Sequence, residues 1–477
     1  MGHQLFKPTL FITIFILFFS VDLKSQELQS SEISDVDNAI EYVRGLQFDR
    51  DFELGAVKGK QLVGQFPESV ELYAWYVANL ARNDEAEEAV EKAEKLVKDH
   101  PDNPWSHFAL VRALNSFDER QKEALAMVDS VFAMKPHHPD FHWMKASVLY
   151  VQKGKQNAIA YIDSVASSLG NPSQLLTTKG HALLSMSGKA SGPKKEELYK
   201  RGMEVFEKTR KLDPQCFNAY YLPGFYANSR GAKAKAGSLL KKAVTISTSL
   251  NAHSQYWRFV MGQDSLGTEE KKQVILADMN SLEERRPETA QMLFDLANQY
   301  EKLNMEEKKE ELYQKILDEY TNDVYAEWVL VNRYRAFREE NSEQIAEKKD
   351  QEVIAKYRSM LWDFIERPVH NRKTLIGDAY RNLFYTYRED STVSADTLLK
   401  VVNGMVEYEG INVHITHGEG PKLLAEQGVN FDRAKEIARA GIEEAREKVN
   451  EQKEWAYDTE QEYQKAMDRY TAVIYDA

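Results

Sequence analysis

Apolar residues recur along most of the chain at intervals of three or four positions, with charged residues between them. Residues 288–322 show this pattern clearly. Two apolar faces of helical period flank a turn that we expect near Asn304, so the segment predicts two helices packed against each other. The apolar positions are Leu293, Leu296, Ala297 and Tyr300 in the first helix and Tyr313 and Ile316 in the second. Long runs of strict alternation, which would predict strands, are absent from the sequence.

Prolines punctuate this pattern at nearly regular intervals. Each follows an apolar, charged stretch, and proline both lacks an amide hydrogen and disfavours helix in the residue before it. The prolines therefore mark predicted helix ends. They are Pro67, Pro101, Pro136, Pro172 and Pro214, separated by 34, 35, 36 and 42 residues. The longest step contains a polar insertion, residues 187–195, which we expect in the turn between two helices.

Two segments separated by one such step match each other in detail. Residues 145–154 and 179–188 share a lysine, a small residue, an apolar pair and a glycine in register. The small residues are Ala146 and Gly180. We expect both to lie where the two helices of one repeat approach closely, because a larger side chain there would push them apart.

A period of about 34 residues with two helices in each period resembles the tetratricopeptide repeat (TPR) family. The resemblance covers roughly eight units between about residues 51 and 334, and it departs from the family pattern at Lys309, where alanine is preferred. It implies an all-α fold, a TPR-like right-handed α-solenoid of stacked helical hairpins with a less regular helical C-terminal part. First helices would line a concave groove, and second helices would form the convex back.

The chain divides into three predicted regions. Residues 1–25 have the layout of a signal peptide, because the apolar stretch at 9–19 is shorter than the ~20 residues of a membrane span. Residues 26–341 form the repeat array, and 342–477 form a C-terminal helical region with degenerate repeats. An uncleaved N-terminal anchor is the alternative for the first region. We expect an exported protein, periplasmic or secreted, of a bacterium, without a transmembrane span in the mature chain.

The C-terminal end keeps apolar helical character up to Ala477. Solenoid ends usually carry a polar capping helix, because an uncapped end exposes the core. Two explanations compete: the end packs against another chain, or the sequence is part of a longer protein.

Charge and motifs narrow the function. The formal net charge is −13, which argues against nucleic acid as the main partner because phosphate binding needs a basic surplus. The sequence contains no C-x-x-C, G-x-S-x-G, Walker A or G-x-G-x-x-G motif. We therefore predict that the chain is not an enzyme, carries no cofactor and binds other proteins or peptides.

Histidine and cysteine offer little for chemistry. His137, His138 and His142 lie close together but next to two prolines, which places the first two in a turn. His414 and His417 lie in a glycine-rich stretch without the H-E-x-x-H pattern of metalloproteases. The single cysteine, Cys216, has no neighbouring base in sequence and is expected to be a structural thiol. We predict no metal site and no catalytic residue.

Two sets of residues are candidates for a partner groove. The first is polar and largely basic, and it would favour acidic or C-terminal carboxylate ligands; the second is aromatic. They are Lys145, Gln152, Lys153 and Lys179, and Tyr220, Tyr221, Phe225 and Tyr226. The predicted function is a non-catalytic protein–protein interaction scaffold. The alternatives are a repeat module that accompanies a thioredoxin-like redox domain outside this chain, and a glycan-binding protein of the cell surface.

Overall fold

The computed structural model describes residues 33, 35–83, 85–117, 120–135, 137–368, 373–388, 390–408 and 415–456. The predicted signal peptide, Pro136, His414 and the apolar end at 457–477 lie outside these residues. Over the described ranges the chain is all-α, with helices and no strand. None of the helices in these ranges has the length and apolar character needed to cross a membrane.

The chain forms two compact units, divided between Asp295 and Leu296. The predicted boundary at residues 341 and 342 stays a prediction. In the described part of the first unit, the helices form seven hairpins: α1 (Val36–Phe48) with α2 (Phe52–Gln65), α3 (Val70–Leu80) with α4 (Ala86–Asp99), α5 (Pro104–Leu114) with α6 (Gln121–Met134), α7 (Pro139–Gln152) with α8 (Lys155–Val165), α9 (Ser173–Lys189) with α10 (Gly192–Leu212), α11 (Asn218–Ser229) with α12 (Lys233–Ile246), and α13 (Leu250–Met261) with α14 (Thr268–Arg285).

The second unit begins within α15 (Ala290–Lys302) and is also helical. Its remaining elements are α16 (Glu306–Glu319), α17 (Val324–Glu340), α18 (Ser342–Ala346), α19 (Gln351–Ile365), α20 (Lys373–Tyr387), α21 (Ala395–Tyr408), a π-helical turn (Ile415–Glu419), α22 (Gly420–Glu426) and α23 (Phe431–Ala456). The turn predicted near Asn304 lies between α15 and α16, as expected. The short α18, the π-helical turn and α22 break the repeat, which confirms a less regular helical C-terminal part.

The spacing of the first helices confirms the predicted period. They begin at Val36, Val70, Pro104, Pro139 and Ser173, in nearly equal steps of about 34 residues. The array starts one helix earlier than the predicted residue 51, because α1 buries Ala39, Val43 and Leu46 although no proline marks its end. The insertion at 187–195 contains the turn between two helices, as predicted. Most of it lengthens α9 and α10, and only residues 190 and 191 separate the two helices.

Side-chain caps begin the first helices of the first four repeats. Each cap residue accepts a hydrogen bond from a backbone amide of the first turn, which satisfies one of the amides that have no partner within the helix. The caps are Asp35 for α1, Ser69 for α3, Asn103 for α5 and His138 for α7. The second helices of these repeats begin without such a cap. Their start is set by packing against the first helices.

Stacking joins the hairpins of the first unit to one another. From α1 to α11, each first helix contacts its own second helix and the first helix of the next hairpin, and α13 contacts α14. One buried apolar cluster consequently runs from Ala39 in α1 to Val148 in α7. The expected close approach is also present: a Cβ at Gly180 would lie 2.7 Å from the Phe206 ring of α10. Ala146 is completely buried at the equivalent position.

The first hairpin of the first unit also contacts its later repeats. Asn218, at the start of α11, donates a hydrogen bond to the carbonyl oxygen of Phe48. Arg286, after α14, pairs with Asp51 and donates to Glu53 Oε2 at 2.9 Å. The superhelix of this unit therefore closes on itself, through residues separated by 170 to 235 positions in sequence.

Asp49 lies at this closure and predicts a pH dependence of stability. Burial raises the pKa of Asp49 to about 7, and the carboxylates of Asp51 and Asp213 act in the same direction. Because this pKa lies above the unfolded value of ~3.9, the native state binds more protons, and the free energy of unfolding falls as the pH rises from about 4 to 7. Asp49→Asn should flatten this fall and add about 1–2 kcal/mol at pH 8, a discounted value because the side chain is only half-buried. Urea denaturation across this pH range measures the effect.

The matched control for this prediction is Asp37→Asn, which changes an exposed carboxylate near the other end of the same helix. It should leave the pH dependence as it is in the parent protein. If Asp49→Asn and the parent protein lost stability equally between pH 4 and 7, the burial of Asp49 would not cause the dependence.

Polar contacts tie three helices of the second unit together. Tyr334 in α17 donates to Asp378 of α20 at 3.1 Å, and Tyr357 in α19 donates to Asn382 of α20, also at 3.1 Å. Arg338 of α17 donates to the same Asn382 oxygen at 2.9 Å. These contacts align α17, α19 and α20 around a buried apolar cluster that includes Leu361 and Leu383.

Candidate recognition site in the first unit

A cavity of about 240 Å³ opens among the first helices of the first unit. Residues of α1, α5, α7, α9 and α11 line it, together with residues that follow α1 and α3. Several lining side chains are cationic or titratable: Arg50, Arg82, Arg112 and His181. None of its described lining residues is an aspartate or a glutamate. This cavity therefore presents positive charge in a chain that is acidic overall.

An aromatic row crosses three consecutive first helices, and two of its members, Tyr150 and His181, line this cavity. The rings of Tyr150 in α7 and His181 in α9 stack, with centroids 5.7 Å apart and planes 12° apart. His181 lies 6.1 Å from the ring of Tyr226 in α11. Burial raises the pKa of both tyrosine hydroxyls, and the nearby Ser185 hydroxyl acts against that rise. We call Tyr150, His181 and Tyr226 the aromatic row.

The row is uncharged at neutral pH and reaches the surface at one end. Burial lowers the pKa of His181 to about 4, and the charges of Arg50 and Lys155 add to that shift. The ring of Phe225 meets Tyr226 edge-on at 5.7 Å, and the Phe225 side chain is 43% exposed. The row therefore offers a rigid, neutral surface built from one residue per repeat.

The structure separates the four aromatic residues that the sequence predicted as one groove set. Tyr226 belongs to the row, and Phe225 extends it. Tyr221 is buried and stacks on Phe217 at 5.1 Å. Tyr220 lies under the guanidinium of Arg210 at 5.6 Å. Tyr221 therefore belongs to the core, because neighbouring residues of one helix point to different sides of it.

The predicted lysines lie between repeats. Lys145 in α7 pairs with Asp129 of α6 at 3.0 Å, and Lys179 in α9 pairs with Asp163 of α8. Each ion pair joins a first helix to the preceding second helix, and the two pairs are one repeat apart. Gln152 ends α7 and Lys153 follows as its exposed C-cap. None of the four lines the cavity, and their role in partner binding stays a prediction.

Sequence reasoning missed the residues that the fold brings together. Tyr150 and His181 occupy unremarkable helical positions, and only the equal register of α7 and α9 stacks them. The arginines of the cavity are scattered over residues 50 to 112. The sequence gives part of the signal, because Tyr150 lies within residues 145–154, the segment that matches residues 179–188. That pattern specified the helix but not the neighbour across the groove.

The histidines and the cysteine considered for chemistry make structural contacts. His138 caps α7 by accepting from the amide of Asp140 at 3.3 Å, and His142 Nδ1 lies 2.6 Å from the Tyr161 hydroxyl. His417, in the second unit, lies 3.0 Å from the carbonyl oxygen of Ile437. Burial raises the pKa of Cys216 to about 12, so its thiol is protonated at neutral pH. In the described ranges, no three histidine, cysteine or acidic side chains are grouped as metal ligands would be.

No family model and no curated relative matches the sequence. Several solved structures of helical repeat proteins are similar. A thermophilic TPR protein of Thermus thermophilus is 14% identical, over 40% of this chain and 97% of that one, with a TM-score of 0.32. YrrB, a TPR protein with an unusual peptide-binding site, is 18% identical over 41% and 97%, with a TM-score of 0.25. The human IFIT1 dimer with m7Gppp-AAAA is 15% identical over 87% and 91%, with a TM-score of 0.34.

The helical hairpins themselves define the class. Successive pairs of antiparallel helices at a period of about 34 residues, each stacked on the next, are the TPR architecture. The chain is a TPR-like all-helical repeat protein, which confirms the resemblance found in the sequence.

Proposed function

We propose that this chain is a non-catalytic scaffold that binds a segment of another protein along the aromatic row. The observation that supports this most directly is the continuity of the row over α7, α9 and α11. A segment lying across these helices would contact one residue from each repeat. Recognition by a few residues per repeat along one face suits an array of stacked hairpins.

The chemistry of the row suits protein recognition. Tyrosine and other aromatic residues dominate binding hot spots, because they bury a large area at a small cost in conformational entropy. The ring contacts of His181 with Tyr150 and Tyr226 hold the row in place before a partner arrives. Such preorganisation lowers the entropic cost of binding.

Two titratable groups support the non-catalytic part of the proposal. With its pKa lowered to about 4, His181 is a poor general acid or base near neutral pH. The Cys216 thiol, with its pKa raised to about 12, is a poor nucleophile. Two further expectations remain predictions: that residues 1–25 direct export, and that nucleic acid is not a partner.

Site-specific photocrosslinking in the full chain tests the proposal. A benzophenone amino acid would replace Val151 or Phe225, which are 48% and 43% exposed and lie beside the row, and extracts of the native host would supply the partner. We expect both positions to capture the same segment of the same protein. Tyr226→Ala should reduce capture from position 151 about tenfold or more, because hot-spot truncations cost ~2 kcal/mol or more.

The matched control carries the same probe at Leu212, which is 54% exposed at the end of a second helix, α10. It should not capture that segment. Equal capture from position 212, or undiminished capture by the Tyr226→Ala protein, would show that the partner binds elsewhere.

A further inference from the structure

Arg112 carries a buried charge that the described chain does not neutralise. The residue lies in α5 and is only 7% exposed. Its guanidinium lies over the ring of Trp143 at 4.5 Å. Its Nε atom has no hydrogen-bond partner, and no carboxylate of the described residues forms an ion pair with it.

Such an arrangement is unusual, because buried charges are normally paired. Burial lowers the pKa of Arg112 to about 9, and the positive charge of Arg82 contributes to this shift. Arg50 adds a third guanidinium to the cavity wall. The guanidinium of Arg112 stays protonated at neutral pH, so an anion beside it would recover part of the free energy lost on burial.

Three amide side chains of the same wall also have unsatisfied buried oxygens. They belong to Gln47, Asn115 and Asn218. The amides of Gln47 and Asn115 can present either the oxygen or the NH₂ group to a ligand, depending on their orientation, whereas the NH₂ group of Asn218 already donates to the Phe48 carbonyl. The wall around Arg112 therefore contains several polar groups whose bonding capacity the protein itself does not use.

We infer that this cavity binds a small organic anion whose carboxylate or phosphate group pairs with Arg112. The flat, apolar part of the ligand would lie against Trp143 and Phe48, which line the same space. A volume of about 240 Å³ fits a small molecule of one ring and not a folded peptide segment. This binding activity goes beyond the proposed scaffold function, and its test needs no protein partner.

Calorimetric titration of the full chain tests the inference with four probes: benzoate, phenyl phosphate, benzamide and inorganic phosphate. Benzoate and benzamide have nearly the same shape, but only benzoate is charged. We expect at least one aromatic anion to bind about tenfold or more tightly than benzamide, since hydrogen bonds to charged groups are the stronger ones. Preference for benzoate or for phenyl phosphate identifies the head group, and inorganic phosphate shows whether the ring contributes. Equal binding of benzamide, or no binding of either aromatic anion, overturns the inference.

Substitution at Arg112 provides the second readout. Arg112→Met should weaken binding of the aromatic anion about tenfold or more without lowering the stability of the ligand-free protein, because it removes a buried, unpaired charge. Arg258→Met, at an exposed arginine of α13, is the matched control and should bind as the parent does. Unchanged binding by Arg112→Met overturns the inference. If that variant did not fold, Arg112→Lys would decide: binding that is weaker than in the parent but still selective for the anion supports the inference, and unchanged binding or a loss of selectivity overturns it.

Discussion

Replacing Arg286 with methionine should lower the free energy of unfolding of the first unit by about 3–5 kcal/mol, the range measured when one partner of a buried ion pair is removed. The Arg286 side chain is fully buried and contacts two carboxylates, those of Asp51 and Glu53. Thr289 also donates to Glu53, at 3.2 Å. Burial raises the pKa of Asp51 even with the arginine opposite it. Without Arg286, the buried carboxylate of Asp51 would lose the guanidinium that lies opposite it.

Urea denaturation followed by circular dichroism measures this effect. The matched control is Arg201→Met, which breaks an exposed pair between Arg201 and Glu197 on α10. Exposed pairs contribute little, so the control should change the free energy by less than about 0.5 kcal/mol. Asp51→Asn combined with Arg286→Met should recover part of the loss, because it removes the buried charge that faced Arg286. A loss no larger than that of the control would mean that the closure of the first unit does not depend on this cluster.

Trp75→Ala should cost about 3–5 kcal/mol, as large-to-small aromatic substitutions in cores do. Trp75 in α3 is fully buried and lies at the centre of an aromatic cluster drawn from four first helices. Its ring contacts the rings of Phe48, Trp105, Phe108 and Trp143, at centroid distances between 4.9 and 6.3 Å. An alanine would leave a cavity at the point where α1, α3, α5 and α7 meet.

A second substitution at the same position separates packing from polarity. The Trp75 Nε1 atom is buried and has no hydrogen-bond partner. Trp75→Phe removes this unsatisfied donor and much less volume, so it should cost clearly less than the alanine variant. Phe225→Ala, at an exposed ring, is the control and should change the unfolding free energy by less than about 0.5 kcal/mol. Equal losses for Trp75→Ala and Phe225→Ala in urea denaturation would contradict the central role of this cluster.

The elements of the fold could be predicted because their signals are local. Pro101 and Pro214 follow helix ends, and the turn at Asn304 falls between α15 and α16. Periodicity also placed Gly180 at a close helix approach. Each of these features depends on residues a few positions apart, or on a neighbour one repeat away.

The candidate site could be predicted only in part. Tyr226 and Phe225 were recognised as a dense aromatic set, yet Tyr221 from the same set is buried in the core. The separation depends on which side of α11 faces α9, and a helix with apolar residues on several sides does not reveal that. Lys145 and Lys179 were correctly seen as equivalent, but their pairing with Asp129 and Asp163 depends on the packing of each first helix on the preceding hairpin.

The amino-acid pattern alone specified the helices, their pairing into hairpins and the repeat period, because helix formation and stacking of adjacent hairpins depend on near neighbours in sequence. The tertiary structure decided the curvature of the first unit, and this curvature decided which residues from distant repeats lie next to each other. It brings Arg286 to Asp51 across 235 positions, and it gathers Arg50, Arg82 and Arg112 around one cavity. Small rotations between successive hairpins add up along the array. The total rotation cannot be inferred from the sequence of any one repeat, so these contacts form only when the repeats are stacked.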